Sequence, residues 1–398
     1  VDAVQSDAGL YGTCALRANG RLVCWGQNDL LGRGGSNNAL TPFEVFGVDD
    51  AVMVSAGGAE GPPTESHTCV LRRDGGVRCF GSHQKGQLGD GRDYGNNPIP
   101  VDVALDAVDA ISLGARHSCA LRAGRVLCWG DDSKGQIGGG GPRRSPVDVG
   151  ISNVVDVAAG EETTCAVHVD GTVSCWGKEV YSGATQVPTE VSSITDAQAV
   201  TVGSAHVCVL HEDGRVSCWG DGTSWQLGNG TMDSSATPVQ VQGLEDAIAI
   251  SAGRVHTCAL RETKTVVCWG WGAAGQLGHG ATSASGVPVD VVGLTDVVAI
   301  GSGEYHTCAA LESGEVFCWG RNNGGQIGQG ARGGNSGGLP LKVVSLPQDV
   351  TAVAGGFQHT CAVRANGTTL CWGGSAQGQT GDGRPFTTVP LPVLWPMP

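Results

Sequence analysis

Of the 398 residues, 66 are Gly and 17 are Pro, and only 16% are charged, well under the roughly 25% of an ordinary domain. Glycine is spread without a collagen period and 40% of residues are hydrophobic, which excludes a fibrous or disordered chain. The 24 Lys and Arg against 38 Asp and Glu give a net charge of −14 without a basic cluster, so phosphate backbones and anionic membranes are excluded as partners; apolar runs of about five residues fall short of the ~18 that a spanning helix needs.

Sixteen cysteines set the order of the chain. They fall in eight close pairs: Cys14 and Cys24, Cys69 and Cys79, Cys119 and Cys128, Cys165 and Cys175, Cys208 and Cys218, Cys258 and Cys268, Cys308 and Cys318, Cys361 and Cys371. In the first copy, Cys14-Ala15-Leu16-Arg17 and Arg21-Leu22-Val23-Cys24 flank Ala18-Asn19-Gly20, a loop with Gly where the left-handed conformation is needed. A hairpin centred on Asn19 sets Cys14 opposite Cys24 and Leu16 opposite Leu22, so the sulfurs share a face at bridging distance. In the third copy the spacing is one shorter and the loop shrinks to Ala123-Gly124, which keeps Cys119 facing Cys128. Loops centred on Asp74, Asp170, Asp213, Ser313 and Asn366 supply Gly next; Glu262-Thr263-Lys264 does not. The pattern predicts one disulfide per copy, made in an oxidising compartment. Each bridge closes about ten residues, worth ~2.5–3 kcal/mol by chain entropy. The opening Val1-Asp2-Ala3-Val4 reads as the start of a mature secreted chain after removal of a leader, so the expected location is extracellular, at the cell surface or periplasmic.

The copies recur every 43 to 55 residues, the range of propeller blades. The seventh shows their plan: a strand at Val297-Val298-Ala299-Ile300, a Gly301–Gly303 loop, a hairpin entered at His306 and left through Val316-Phe317-Cys318-Trp319-Gly320, the loop Gly325-Gln326-Ile327-Gly328, and a Pro-led outer strand at Pro340-Leu341-Lys342-Val343. Four short strands with turn residues between them make a blade. Ordinary first and last copies favour a closed ring over a capped solenoid. The expectation is an all-β, single-domain β-propeller spanning 1–398, with eight four-stranded blades and a seven-bladed ring as the alternative. Its repeats run 1–48, 49–105, 106–152, 153–194, 195–244, 245–294, 295–346 and 347–398.

The recurring Gly-x-x-His-Thr-Cys-Ala-Leu, Asp-Gly-x-Val-x-Cys-Trp-Gly and Gly-Gln-Leu-Gly resemble the regulator of chromosome condensation repeat. Arg254-Val255-His256-Thr257-Cys258-Ala259-Leu260 and Gly275-Gln276-Leu277-Gly278 are examples. The resemblance covers almost the whole chain and implies a ring of such repeats, seven-bladed in the founding member, which exchanges nucleotide on a small GTPase and binds chromatin. Paired cysteines and negative charge point instead to a secreted, cysteine-rich bacterial branch, where the resemblance implies binding through end-face loops.

Six copies carry His two residues before Cys: His67, His117, His206, His256, His306 and His359; Gly12 and Thr163 stand there in copies one and four. A recurrent strand-entry His is expected to donate to a neighbouring backbone carbonyl, so no metal or other cofactor is assigned. Trp25, Trp129, Trp176, Trp219, Trp269, Trp319 and Trp372, with Phe80 in their place once, recur as core between blades. No nucleophile, base and orienting partner stands apart, so no catalytic residue is assigned and the protein is read as a non-enzyme. What breaks the repeat marks candidate partner contacts. Copy two has an enlarged loop with Pro62 and Pro63, and the matching loops of copies one, seven and eight hold Tyr11, Tyr305 and Phe357. Off-pattern Trp225 and Trp271 form a second candidate contact. The functional expectation is a binding or scaffold module for a protein partner, with inhibition of a partner enzyme as one form. The alternatives are a self-assembling subunit of a surface layer or filament, and a hydrolase or lyase with a channel-mouth site.

Overall fold

The computed structural model describes the chain apart from residues 1–2, 9–11, 18–20, 27–38, 45–47, 49, 60–64, 93–96, 180–182, 332, 347, 357–358, 365–368, 375–385 and 393–398. Among the described residues the strands form eight four-stranded antiparallel sheets, each built from four consecutive strands. The fifth is typical: Ala197–Val202, His206–His211, Val216–Gly220 and Ser235–Gln240. The sixth repeats it with Ala247–Ala252, His256–Arg261, Val266–Gly270 and Ser285–Asp290. First strands lie side by side from sheet to sheet, and Ala3–Ala8 of the first sheet also lies against Val350–Gly355 and His359–Arg364 of the eighth.

The hairpins follow from their turns. Cys14 pairs with Cys24 and Leu16 with Leu22. In the shortened third hairpin Arg122 pairs with Arg125, so Ala123 (φ 47°) and Gly124 (φ 71°) form the two-residue turn with both φ positive. Lys264, in the hairpin without Gly, takes the left-handed conformation itself at φ 59°. Disulfides join the seven pairs from Cys14–Cys24 to Cys308–Cys318. Cys361, also disulfide-bonded, faces Cys371.

Both faces of each hairpin are buried because sheets pack on sheets. Cys258, Leu260, Val266 and Leu277 of one sheet and its loop meet Val297, Ala309 and Trp319 of the next in one cluster. Equivalent clusters place Trp129, Trp176, Trp219, Trp269 and Trp372 between successive sheets, with Phe80 in the first. These six indoles are thus core, as the sequence suggests; the side chain of Trp25 lies outside the described residues. Outer strands tolerate Pro because the ladder is already interrupted there: the pairing of the third and fourth strands shifts between Cys218 and Gly220, and Pro238 falls in the shift. The Pro-led strand of the seventh copy is reduced to Leu341–Lys342, opposite Phe317 and Cys318.

Candidate functional site

Five strand-entry histidines, His67, His117, His206, His256 and His306, reach across to the next sheet. His256 Nε2 lies 2.9 Å from Thr307 Oγ1, and the Thr307 hydroxyl donates to the Gln276 carbonyl at 3.3 Å. That carbonyl also accepts the Trp319 indole N–H at 2.8 Å. A hydroxyl that gives its proton to a carbonyl accepts one from the imidazole, so the proton sits on Nε2. His67 with Ser118, His117 with Thr164, His206 with Thr257 and His306 with Thr360 repeat the contact at 2.8–2.9 Å. The partner is therefore a side-chain hydroxyl of the neighbouring sheet, which corrects the expected backbone carbonyl. Burial holds these rings neutral, pushing His67, His256 and His306 down to about 3 and His117, His206 and His359 to about 4. The Nε2 donors of His67, His117, His206, His256 and His306 are committed to joining sheets.

The Gly-x-x-His turns and the loops leaving the third strands share one end of the sheets, because each His pairs with the Gly that closes the third strand, as His306 with Gly320. Turns are stitched to their neighbours there by backbone bonds: Ser204 N to Arg254 O, Arg254 N to Glu304 O and Glu304 N to Gly356 O. On this collar Tyr305 of the seventh sheet meets Trp271 of the sixth edge-on, with ring centroids 5.2 Å apart at 62°. Arg321 lies over the Tyr305 ring, 4.6 Å from its centroid. Trp271 N donates to Val255 O and Arg321 N to Tyr305 O, which fixes the backbone of both residues at this end of the sheets. Glu304 pairs with Arg254 at 2.7 Å and lies 3.7 Å from Arg321.

The structure brings Trp271 to Tyr305, combining members of two groups that the sequence kept apart. Trp225 sits elsewhere, at φ 66° in the first position of a Gly-Gln-Leu-Gly type loop, with its ring against Gly286 of the next sheet. Tyr11, Pro62, Pro63 and Phe357 lie outside the described residues.

Sequence reasoning missed one chemical constellation. His211 Nδ1 is 2.5 Å from Asp196 and its Nε2 is 2.9 Å from Ser217 Oγ. The order is that of an acid, base and nucleophile, yet its place in the repeat explains it differently. Arg72 and Arg261 end the second strand at the same position and pair with Asp50 and Asp246, so His211 ties its hairpin to the incoming linker as they do. Ser217 is a mid-strand residue paired with Val209 and Gln240, unlike the sharp turn that presents a nucleophilic serine. The signal was present in the recurrence of Arg or His after the second strand's apolar core.

A model of the RCC1-like domain matches residues 1–296. The chain belongs to the RCC1-like family. Regulator of chromosome condensation (RCC1) repeats follow at 297–326, 313–363 and 350–379. The mouse regulator of chromosome condensation is 35% identical over 27% of this chain and 25% of its own length. Human protein RCC2 is 29% identical over 27% of this chain and 21% of its own. The aligned part thus spans about a quarter of the curated relatives. Yeast RCC1 (Prp20), solved bound to Kap60, overlays with a TM-score of 0.67 at 23% identity, covering 80% of this chain and 83% of that one. Human WBSCR16 overlays with the same TM-score at 19% identity, over 80% and 94%. These overlays carry the fold alone.

The eight-blade expectation is corrected as a statement of fold class, because the family matches support the seven-bladed RCC1 ring with intra-blade disulfides. Cysteine periodicity counts hydrogen-bonded sheets, eight among the described residues. It does not count the blades of the family ring, and the solved propellers overlay only four-fifths of the chain.

Proposed function

We propose that this chain is an extracellular or periplasmic binding module that holds a protein partner on the end face bearing the Gly-x-x-His turns. The observation that carries the reading is the cluster of Trp271, Tyr305 and Arg321 across two sheets. Half-buried aromatic and Arg side chains on a rigid frame are the residue types that dominate binding energy. Hydrogen-bonded turns fix the frame, so little ordering entropy is lost on association. Disulfides within the repeats support an oxidising location. Blocking a partner enzyme is one form of such binding, since a rigid end face can occlude an active site without doing chemistry.

The test is capture of partners from culture fluid or envelope extract by the full chain, compared with Tyr305→Ala and Trp271→Ala. A Val169→Ala control alters an exposed hairpin tip at the opposite end. Loss of one captured protein in both aromatic variants, at least tenfold, supports the reading. Equal capture by all four proteins overturns it.

A further inference from the structure

The junction between the fourth and fifth sheets lacks a part that other described junctions possess. At four other junctions the loop after the third strand folds over the tryptophan of the next sheet, whereas the junction of the third and fourth sheets keeps its loop but leaves the buried Trp176 indole N–H without a partner. Gln226 O accepts the Trp269 indole N–H at 3.0 Å, and Gln87, Gln276 and Gln326 do the same for Trp129, Trp319 and Trp372. The last Gly of the loop lies on the indole edge: a Cβ on Gly228 or Gly278 would come within 2.8 Å of the Nε1 of Trp269 or Trp319. Backbone bonds complete the cap, Gly228 O accepting Gln242 N and Gly230 N donating to Gly286 O in the next outer strand.

In the fourth sheet the third and fourth strands are Val173–Glu179 and Gly183–Glu190, with three residues between them. The intervening sequence, Val180-Tyr181-Ser182, contains no Gly-Gln-x-Gly. A cleft of about 200 Å³, partly open to solvent, occupies that position. Its lining includes Trp219, Ser192, Ala236 and Thr237. Trp219 stands where Trp269 stands one sheet on, Ser192 where Gln242 does, and Ala236 where Gly286 does. The cleft is therefore lined by the counterparts of three residues that a glycine turn engages elsewhere, through an indole N–H, a backbone N–H and a backbone carbonyl. Two further changes accompany the missing loop. Thr163 replaces the relay His of the fourth copy, and buried Val207 replaces the relay Thr of the fifth.

We propose that this cleft binds a glycine-containing turn of a partner protein, of the Gly-Gln-x-Gly kind, which caps Trp219 from outside as the chain's own loops cap Trp269 and Trp319. A peptide turn carries both the carbonyl and the N–H that the lining groups match, and glycine is thin enough to lie on the indole edge. A second copy of this chain is a poor source, because Gln87, Gln136, Gln226, Gln276 and Gln326 are all buried in their own junctions. The site is separate from the Trp271–Tyr305 face and stands without it.

The probe is a disulfide-cyclised peptide carrying Ala-Gly-Gln-Leu-Gly-His, the sequence of 274–279, titrated into the full chain by calorimetry and followed at the Trp219 indole N–H by NMR. The proposal expects saturable one-to-one binding that weakens at least tenfold with Trp219→Phe and is lost with Ala236→Trp, an exposed change. It also expects a tenfold loss when the second Gly of the peptide is Ala, and unchanged binding by Tyr305→Ala. That last arm separates this site's failure from failure of the end-face reading. Absence of saturable binding to the wild-type chain, equal binding by both cleft variants, occupation by a chito-oligosaccharide instead of the peptide, or self-association blocked by Ala236→Trp would each overturn it. Should Trp219→Phe fail to fold, Ala236→Trp decides.

Discussion

The junction between the sixth and seventh sheets and that between the fourth and fifth are built from the same hairpins and diverge in what crosses between them. At the former, His256, Thr307, Gln276 and Trp319 form one connected set of hydrogen bonds. At the latter the His position is Thr163, the Thr position is Val207 and the Gln loop is absent, while Trp219 remains. Polar members of a buried network stand or fall together, because a half-satisfied network costs more than an apolar one. The indole stays since its area is needed in the apolar cluster with Val167, Val200 and Val209.

Acid attacks the two junctions unequally and gives the largest expected effect. The relay rings have folded values near 3 to 4 against about 6.5 in an unfolded chain. The unfolded state thus binds more protons below pH 6.5, so their stabilising contribution is complete above that pH and is lost progressively as pH falls toward 4. Each ring costs about 1.4 kcal/mol per pH unit within that window. Urea melts at pH 7, 6 and 5 should show stability falling by several kcal/mol; a flat profile would mean that the rings are protonated or exposed in the folded chain.

Reduction is next and should strike both junctions alike, since the bridges lie within hairpins. Each bridge is worth at most ~2.5–3 kcal/mol, and thiol counting during thermal melts in dithiothreitol would show whether opening and unfolding coincide. Smaller still are single changes at the relay. Thr307→Val removes a hydroxyl that serves both His256 and Gln276, and should destabilise by about 1–3 kcal/mol. Val207→Thr buries a hydroxyl where neither His nor Gln waits for it, and should also destabilise; a stabilised Val207→Thr would mean that the fourth junction keeps polar partners after all. The smallest effect is kinetic: the Trp219 indole N–H should exchange with solvent at least tenfold faster than that of Trp269. On the chemical side, a fluorophosphonate should leave Ser217 unlabelled, and labelling there would revive a hydrolase reading.

Local features were legible in the sequence because they depend on spacing within one hairpin. The Cys14 and Cys24 register, the two-residue turn at Ala123-Gly124 and the recurring indoles all belong to that class. The relay was less legible because its members come from successive copies. The His was visible, yet its hydroxyl partner lies about fifty residues on, so a generic backbone acceptor was assigned. Trp271 and Tyr305 were separated for the same reason: one follows a third strand and the other precedes a second strand, and only the shared end of neighbouring sheets brings them together. The cleft at Trp219 needed both steps, first that loops cap the next sheet's indole, then that one loop is missing.

Because every described sulfur bridge is closed inside its own repeat, gene segments encoding single units can be gained or lost without stranding a thiol. Architectures whose bridges run between distant units lack that freedom, since any deletion leaves a mismatched cysteine. Modular covalent locking therefore gives this lineage a route to change circumference, and with it the breadth of surface offered to a target, by whole-unit steps.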